Sequence, residues 1–202
     1  RFYAALRLSK LSYIGLKLLN KPATSFAGFV ALKICPDFMK YTKRYISKSF
    51  INITGTNGKT TTSGLLAHIL GQNVIHNLKG ANMLTGIANT FAIAINPLQK
   101  FDYAVIETDE AYLTKVYDYV VGDYLVVTNL FRDQLDRYGE LDFTSKIIRE
   151  AISKNPNLKL ILNADDPIVS AFKNDNTIYY GIENIEYHTR YTEESHAPSE
   201  VF

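Results

Sequence analysis

Residues 54–61 combine the residue types that bind a polyphosphate, since the segment reads Thr-Gly-Thr-Asn-Gly-Lys-Thr-Thr. The backbone N–H groups of such a loop, with the positive end of a following helix, form a nest for phosphate oxygens. Lys59 would place a positive charge on the outer phosphates, and the Thr60 hydroxyl would reach a magnesium ion. An apolar strand precedes the loop and a helical pattern follows it. The segment therefore predicts a nucleoside triphosphate site rather than an ordinary turn.

The loop is shorter than the general phosphate-loop motif, which has four residues between its glycines. Only Thr56 and Asn57 separate Gly55 from Gly58, so a narrower motif fits. The nucleotide-binding residues predicted in this loop are Gly55, Thr56, Asn57, Gly58, Lys59, Thr60 and Thr61.

The composition is that of a globular domain with one core. The sequence has 202 residues, of which 47% are hydrophobic, and a single domain is expected at this length. Cys35 is the single cysteine, which excludes an internal disulfide and a cysteine metal site within these residues. No apolar run approaches the roughly 18–20 residues of a membrane span, and the first residues lack a signal-peptide pattern. We therefore expect a cytoplasmic protein.

The charge is distributed unevenly along the chain. Residues 1–50 hold ten Lys or Arg and one acid, Asp37, for a net charge of +9, whereas the remainder carries −7. Such a basic segment indicates either an anionic surface nearby, phospholipid or a phosphate-bearing substrate, or simply a solvated basic face. A peripheral location at the inner face of the membrane is one expectation that follows, and we predict no nucleic-acid partner.

Strand and helix patterns alternate from residue 50 onward. Near-continuous apolar strands between helices predict an α/β fold, a mostly parallel sheet with helices on both faces. We predict a helical, basic N-terminal segment over 1–49 with a helix at 2–19, and an ATP-binding domain over 50–202. The predicted strands are 50–53, 73–76, 103–107, 124–128, 160–163 and 177–180, and the predicted helices are 60–70, 84–94, 113–120, 142–153 and 167–173.

Polar residues follow the predicted strands, at the sheet edge where ligands bind in such folds. Glu107 comes after an apolar strand, where a magnesium-coordinating carboxylate belongs in a phosphoryl-transfer site; the alternative is a solvated turn residue. For Asp109 and Glu110 the turn is the favoured interpretation. Asp166 precedes Pro167, so it either caps the next helix or contacts the nucleotide.

Three segments resemble signatures of the Mur ligases and folylpolyglutamate synthases. Residues 54–61 resemble the ATP loop of that family, residues 129–139 resemble its second signature, Asn-x-x-x-Asp-His-x-Asp-x-x-Gly, and residues 163–166 resemble its third. The fold implied is the central ATPase domain of the Mur ligases. One departure is Gln134, which stands where the amino-acid-adding ligases carry histidine.

Gln134 and the segments 31–38, 77–86 and 133–140 resemble one branch of the family, the ligase subunits of lipid II isoglutaminyl synthases. The resemblance implies that ATP, with Mg²⁺, activates the D-glutamate carboxylate of the lipid II stem peptide as an acyl phosphate, which ammonia captures. It also implies a GatD-like glutaminase subunit as partner and lipid II, at the membrane surface, as substrate. Amide-forming ligation in peptidoglycan synthesis is the function expected from it.

The resemblance also implies roles for residues outside the phosphate loop. It implies that Asn163 and Asp166 lie toward the adenosine and that Asn82 contacts the muropeptide. Lys59 and Glu107 are the predicted catalytic residues, with Thr60 and Glu107 on magnesium. Lys146 lies near the position of a carbamylated lysine in some relatives, but an ordinary surface lysine is the favoured interpretation.

Members of this branch continue into a four-cysteine zinc ribbon and a C-terminal domain that carries a catalytic aspartate. We therefore predict that this sequence is part of a longer protein, with Zn²⁺ expected only in the part not included here.

Two alternatives stay open. One is an amino-acid-adding ligase of the same family, such as one that extends folate with glutamate, and the other is an ATP-responsive interaction module.

Overall fold

A computed structural model describes residues 1–77, 80–131 and 140–182. Helices and strands alternate through most of this part of the chain. The helices are α1 (Phe2–Leu18), α2 (Phe26–Ile34), α3 (Lys59–Leu70), α4 (Leu84–Ala94), α5 (Leu113–Tyr117), α6 (Glu140–Ser153) and α7 (Pro167–Ser170). The strands are β1 (Ile46–Thr54), β2 (Val74–His76), β3 (Phe101–Glu107), β4 (Tyr124–Val127), β5 (Lys159–Asn163) and β6 (Thr177–Tyr180).

The strands form one sheet in the order β2-β3-β1-β4-β5-β6, and every pairing is parallel. Strand β1 lies in the middle, which explains why Phe50 and Ile53 are fully buried. The register sets Ile53 beside Glu107, so the phosphate loop and Glu107 emerge at the same edge of the sheet. The parallel sheet predicted from the sequence is therefore confirmed.

Two helices from the N-terminal segment, α1 and α2, pack against each other and against α4. Gly28 permits the close approach of α2 to α4, because a Cβ atom at this position would lie 1.9 Å from the carbonyl oxygen of Thr85. In α1, Phe2, Ala5 and Leu6 face the core. The segment is thus part of the same packed structure as the sheet.

The helix predicted at 2–19 is based on leucines at near-helical spacing, and these leucines face outward. Leu8, Leu11, Leu18 and Leu19 follow helical spacing, yet each is exposed, and Leu18 retains 80% of its accessible surface. The spacing predicted the helix correctly, but this side of α1 does not contact the core. Among the described residues, no helix is long and apolar enough to cross a membrane.

The largest boundary difference is at β1, which begins four residues before the predicted strand at 50–53. Its first residues include Ser47 and Lys48, which are exposed and contact Asp102 on the neighbouring strand. A search for apolar runs misses such polar edge residues. In contrast, α5 and α7 end three residues before the predictions of 113–120 and 167–173, because single turns follow both helices.

Candidate nucleotide site

The predicted phosphate loop joins β1 to α3, and two glycines allow its path. Gly55 has φ +127°, and a Cβ atom there would lie 2.3 Å from the Thr128 hydroxyl oxygen. Gly58 has φ +81° and precedes the first residue of α3. Left-handed backbone is available to glycine at little cost, whereas other residues are strained there. The local sequence therefore dictates this loop.

Asn129, at the end of β4, anchors the phosphate loop. The Thr56 N–H donates to the Asn129 carbonyl at 2.8 Å, and the Asn57 N–H donates to the Asn129 side-chain oxygen at 2.9 Å. The Thr128 hydroxyl donates to the Asn57 carbonyl at 2.7 Å. Two of the N–H groups predicted to bind phosphate are thus directed at Asn129 in this structure. The N–H groups of the first turn of α3 have no acceptor within the helix, as at any helix N-terminus.

Lys59 is held inside the loop rather than facing solvent. Its ammonium donates to the carbonyl oxygens of Gly55 and Thr56 and lies 3.1 Å from Oε2 of Glu110. Only 14% of the Lys59 side chain and 19% of the Glu110 side chain are exposed. Lys59 therefore does not face solvent, and the interpretation of Glu110 as a solvated turn residue is wrong.

Burial raises the pKa of Glu110 above its ordinary value, and the nearby Lys59 charge opposes that increase only in part. Glu110 is the first residue of a short 3₁₀ turn, residues 110–112, which follows the end of β3. Asp109, its neighbour, accepts a hydrogen bond from the Ala111 N–H and caps that turn. Asp109 is thus the turn residue that was predicted, whereas Glu110 faces the phosphate loop.

Glu107 is almost fully buried at the end of β3, with 3% of its surface exposed. Asn77 holds its backbone through two hydrogen bonds of 2.8 Å, and Asn82 donates from its side chain to Oε1 at 3.1 Å. The other carboxylate oxygen, Oε2, has no hydrogen-bond partner among the residues that the structure describes. A buried carboxylate oxygen without a partner is costly, so a cation would satisfy it.

The predicted magnesium ligands fit that ion in part. Thr60 is exposed in the first turn of α3, and Glu107 offers an unpaired oxygen at the same sheet edge. Within residues 1–77, 80–131 and 140–182 no group of three or more His, Cys, Asp or Glu could hold a metal ion. Magnesium is commonly bound by one or two protein oxygens plus substrate phosphates. The donor set therefore suits a metal that enters with a nucleotide.

Asp166 caps α7, as one of its two interpretations predicted. Its Oδ1 accepts from the N–H groups of Ile168 and Val169, and its Oδ2 accepts from the Leu130 N–H at 2.8 Å. The buried carboxylate thereby joins the end of β5 to the segment after β4. Asn163 is also buried, and its side-chain oxygen accepts from the Asp165 N–H. Contacts of either residue with adenosine stay a prediction.

Some of the predicted residues contribute less to the described site. Lys146 is exposed on α6, consistent with a surface lysine, and Thr61 is exposed beside Thr60 in α3. Gln134 and the rest of the second signature beyond Phe131 lie outside the described residues, as does the tail from 183 to 202.

Sequence reasoning missed the contacts made by Glu110, Asn77 and the backbone of Asn129. The only signal in the sequence is that each follows a predicted strand. Asn77 lies at the end of β2, and Lys59 and Glu110 are 51 residues apart. Contacts of this kind depend on strand order and register, which the local pattern does not contain.

Comparison with known proteins agrees with this geometry. The sequence profile of the Mur ligase middle domain matches residues 53–201. The chain is 41% identical, over 90% of its length and 42% of the relative, to the lipid II isoglutaminyl synthase (glutamine-hydrolyzing) subunit MurT of Staphylococcus aureus. It is 31% identical, over 65% of its length and 29% of the relative, to the UDP-N-acetylmuramoylalanine–D-glutamate ligase of Bacteroides fragilis.

Solved structures of related ligases have the same fold. A pseudomurein peptide ligase type C from Methanothermus fervidus is 34% identical with a TM-score of 0.55, covering 74% of this chain and 30% of that one. The MurF ligase of Thermotoga maritima in complex with ADP is 20% identical with a TM-score of 0.60, covering 76% of this chain and 37% of that one. The chain spans about two fifths of the length of the S. aureus relative that it matches.

Proposed function

Because the chain belongs to the Mur ligase family, we propose that its phosphate loop binds ATP and that the ATP activates a carboxylate. In the longer protein, that carboxylate is the D-glutamate carboxylate of the lipid II stem peptide, which is amidated to D-isoglutamine. The observation that carries this proposal is the 41% identity, over 90% of the chain, to a lipid II isoglutaminyl synthase subunit. The arrangement of Lys59, Glu107 and the loop supports the ATP-dependent step.

The reaction has two steps. A carboxylate oxygen attacks the γ-phosphorus of ATP, so the bond to the β-phosphate oxygen breaks, ADP leaves and an acyl phosphate forms. Ammonia then attacks the acyl carbon, phosphate leaves, and the nitrogen loses a proton to give the amide. The first step brings two anions together, and positioned positive charge and hydrogen-bond donors lower its barrier.

Each residue of the site has a role in this proposal. Lys59 leaves Glu110 and binds the β- and γ-phosphates, while the N–H groups at the start of α3 bind phosphate oxygens. Thr60 and Glu107 hold Mg²⁺, which neutralises charge on the phosphates when it is bound. Asn82 donates to Glu107 at 3.1 Å, so it positions that carboxylate, and its second proposed role is contact with the muropeptide. Asn163 and Asp166 lie toward the adenosine.

Two further components belong to the proposal. Ammonia is supplied by a GatD-like glutaminase subunit, and lipid II is presented at a membrane surface. The basic N-terminal segment, with the outward-facing leucines of α1, supports peripheral contact of the protein with the inner face of that membrane. Zinc is assigned only to a part of the protein outside this sequence.

The test uses the full-length protein with its glutaminase partner, ATP, Mg²⁺ and lipid II. Mass spectrometry should detect a product 1 mass unit lighter than lipid II, as expected when a hydroxyl is replaced by an amino group, with either glutamine or ammonium as nitrogen source. Transfer of an amino acid instead would favour the amino-acid-adding ligase. Partner binding that responds to ATP without any amidation would favour the interaction module.

A further inference from the structure

A cavity of about 500 Å³ lies beside the outer strand β2, away from the phosphate loop. We call it the β2 cavity. It is enclosed by β2, by α4 and by the C-terminal end of α1 with the segment that follows it. Val74, Ile93 and Ala94 provide apolar surface, and its volume is within the range of small-ligand sites.

One wall of the β2 cavity carries a buried polar group with no partner. Asn89, on α4, is only 6% exposed, and its side-chain oxygen has no hydrogen-bond partner among the described residues. Most buried polar atoms in folded proteins are paired, so an unpartnered acceptor on a residue that lines a cavity indicates a missing donor. A ligand N–H or O–H group would supply that donor.

The rim of the β2 cavity is positively charged. Lys17 and Lys21 both line it and are exposed, and neither forms an ion pair with any acid in the part of the chain that the structure describes. The Lys17 ammonium lies 5.1 Å from the centre of the Tyr13 ring, which holds it beside the cavity. Two unpaired ammonium groups at the mouth of an apolar cavity favour a ligand with a carboxylate or phosphate end.

The cavity also borders an open sheet edge. Among the residues that the structure describes, strand β2 pairs only with β3, so its other side offers backbone groups to an added extended segment, as in peptide recognition by strand addition. His76, at the end of β2, lies 3.1 Å from the Ser63 hydroxyl of α3. Burial lowers the pKa of His76, which leaves Lys17 and Lys21 as the positive groups of the cavity lining. His76 thus connects the cavity lining to α3, the helix that follows the phosphate loop.

We propose that the β2 cavity binds a short extended peptide that ends in a carboxylate. An N–H group of the peptide donates to Asn89, small apolar side chains pack on Ile93 and Ala94, and the carboxylate contacts Lys17 and Lys21. A phosphate ester would satisfy the lysines but would lack both the N–H donor and the extended backbone. This inference rests on the proposed function, in which the substrate carries a peptide. The end of that peptide would be held beside β2, while a different carboxylate of the peptide, the reacting one, lies near Glu107.

The experiment measures peptide binding to the full-length protein by titration calorimetry without nucleotide. The probe is N-acetyl-trialanine, and its C-terminal amide is the matched control ligand. We expect the acid to bind and the amide to bind about tenfold more weakly, since two exposed ion pairs are lost. The double variant Lys17→Gln/Lys21→Gln should lose the same factor for the acid and nothing for the amide. Lys33→Gln, an exposed lysine of α2 outside the cavity, should leave both affinities unchanged.

A second variant tests the deep end of the β2 cavity. Asn89→Leu keeps roughly the size of the side chain but removes the acceptor oxygen, so the acid and the amide should both bind more weakly and by the same factor. Far-ultraviolet circular dichroism and thermal unfolding confirm that each variant is folded. Equal affinities for acid and amide, absence of peptide binding to folded protein, or an unchanged affinity in the double lysine variant would each overturn the inference. The affinity of the wild-type protein for ATP is measured in parallel. If the wild type binds the peptide but not ATP, the proposed function is rejected and the inference about the β2 cavity is not.

Discussion

The Lys59 ammonium lies 3.1 Å from Oε2 of Glu110, inside a loop that also supplies two carbonyl acceptors to it. All three donors of the lysine therefore have partners within the protein. Nucleotide binding by Lys59 requires that it exchange these partners for phosphate oxygens. Glu110 then remains as a partly buried carboxylate without its cation.

This exchange predicts that nucleotide binding is linked to proton uptake. Burial already raises the pKa of Glu110, and loss of the Lys59 charge would raise it further. The bound state would then hold the proton more tightly, so affinity should increase as the pH falls toward the pKa of Glu110, above its ordinary value of 4.5. Calorimetric titration of ADP across pH measures the effect. Glu110→Gln should flatten the pH dependence, apart from the titration of the phosphates themselves, which is common to both proteins.

Lys59→Ala should abolish most ATP turnover in the full-length enzyme. Loss of one preorganised charge at such a site typically costs on the order of 10²–10³ in rate. The substitution also leaves Glu110 without its cation, and thermal unfolding should therefore show a destabilisation that Lys59→Ala/Glu110→Gln partly reverses. Near-normal amidation by the single variant would contradict the phosphate-loop assignment.

Gly55→Ala should disrupt the phosphate loop. The new Cβ would approach the Thr128 hydroxyl and the Asn129 carbonyl, at 2.3 and 2.7 Å, with φ at +127°. Backbone strain of this kind costs on the order of 1–3 kcal/mol, and ADP affinity should fall with the stability. Gly64→Ala in α3 is the matched control, since its Cβ meets nothing within 4 Å. It should raise the stability by about 0.5–1 kcal/mol, as is usual in a helix interior.

Glu107→Gln should raise the magnesium concentration that the ATPase requires and sharply lower its rate. The substitution preserves the side-chain shape and an acceptor for Asn82 but removes the charge that would neutralise a cation. Thermal unfolding checks that the variant is folded, because Glu107 is almost fully buried. Magnesium titrations of ATPase activity compare the wild type, Glu107→Gln and the control Asp109→Asn. Superimposable curves for the first two would make Glu107 a structural acid and Asp109 the next candidate.

Binding of the protein to anionic vesicles should weaken as salt increases, because exposed charges are screened over about 8–10 Å near physiological ionic strength. Leu11 and Leu18 of α1 are 64% and 80% exposed, and the double substitution to Asp should reduce binding further. Leu65→Asp on α3, at a position 60% exposed, is the control for a general effect of added charge. Absent or salt-independent binding would leave residues 1–50 as an ordinary basic surface.

The sequence by itself determined the phosphate loop, the order of strands and helices after residue 50 and the placement of Glu107 at a strand end. These features are local. Gly55 and Gly58 are required by backbone angles that other residues adopt only under strain, and apolar runs alternating with helical patterns are typical of a parallel sheet. The same logic offered capping as one of two interpretations of Asp166, because Asp before Pro favours a helix start.

Only the tertiary structure decided which side chains meet. The pairing of β1 with β3 brings Glu110 to Lys59 across 51 residues of sequence, and the pairing of β1 with β4 brings Asn129 to the phosphate loop. It also decided that Leu8, Leu11 and Leu18 of α1 face outward, since helical spacing defines a face of the helix but not what that face contacts. Such contacts depend on strand order, register and packing between distant segments, and a local pattern of residues contains none of these.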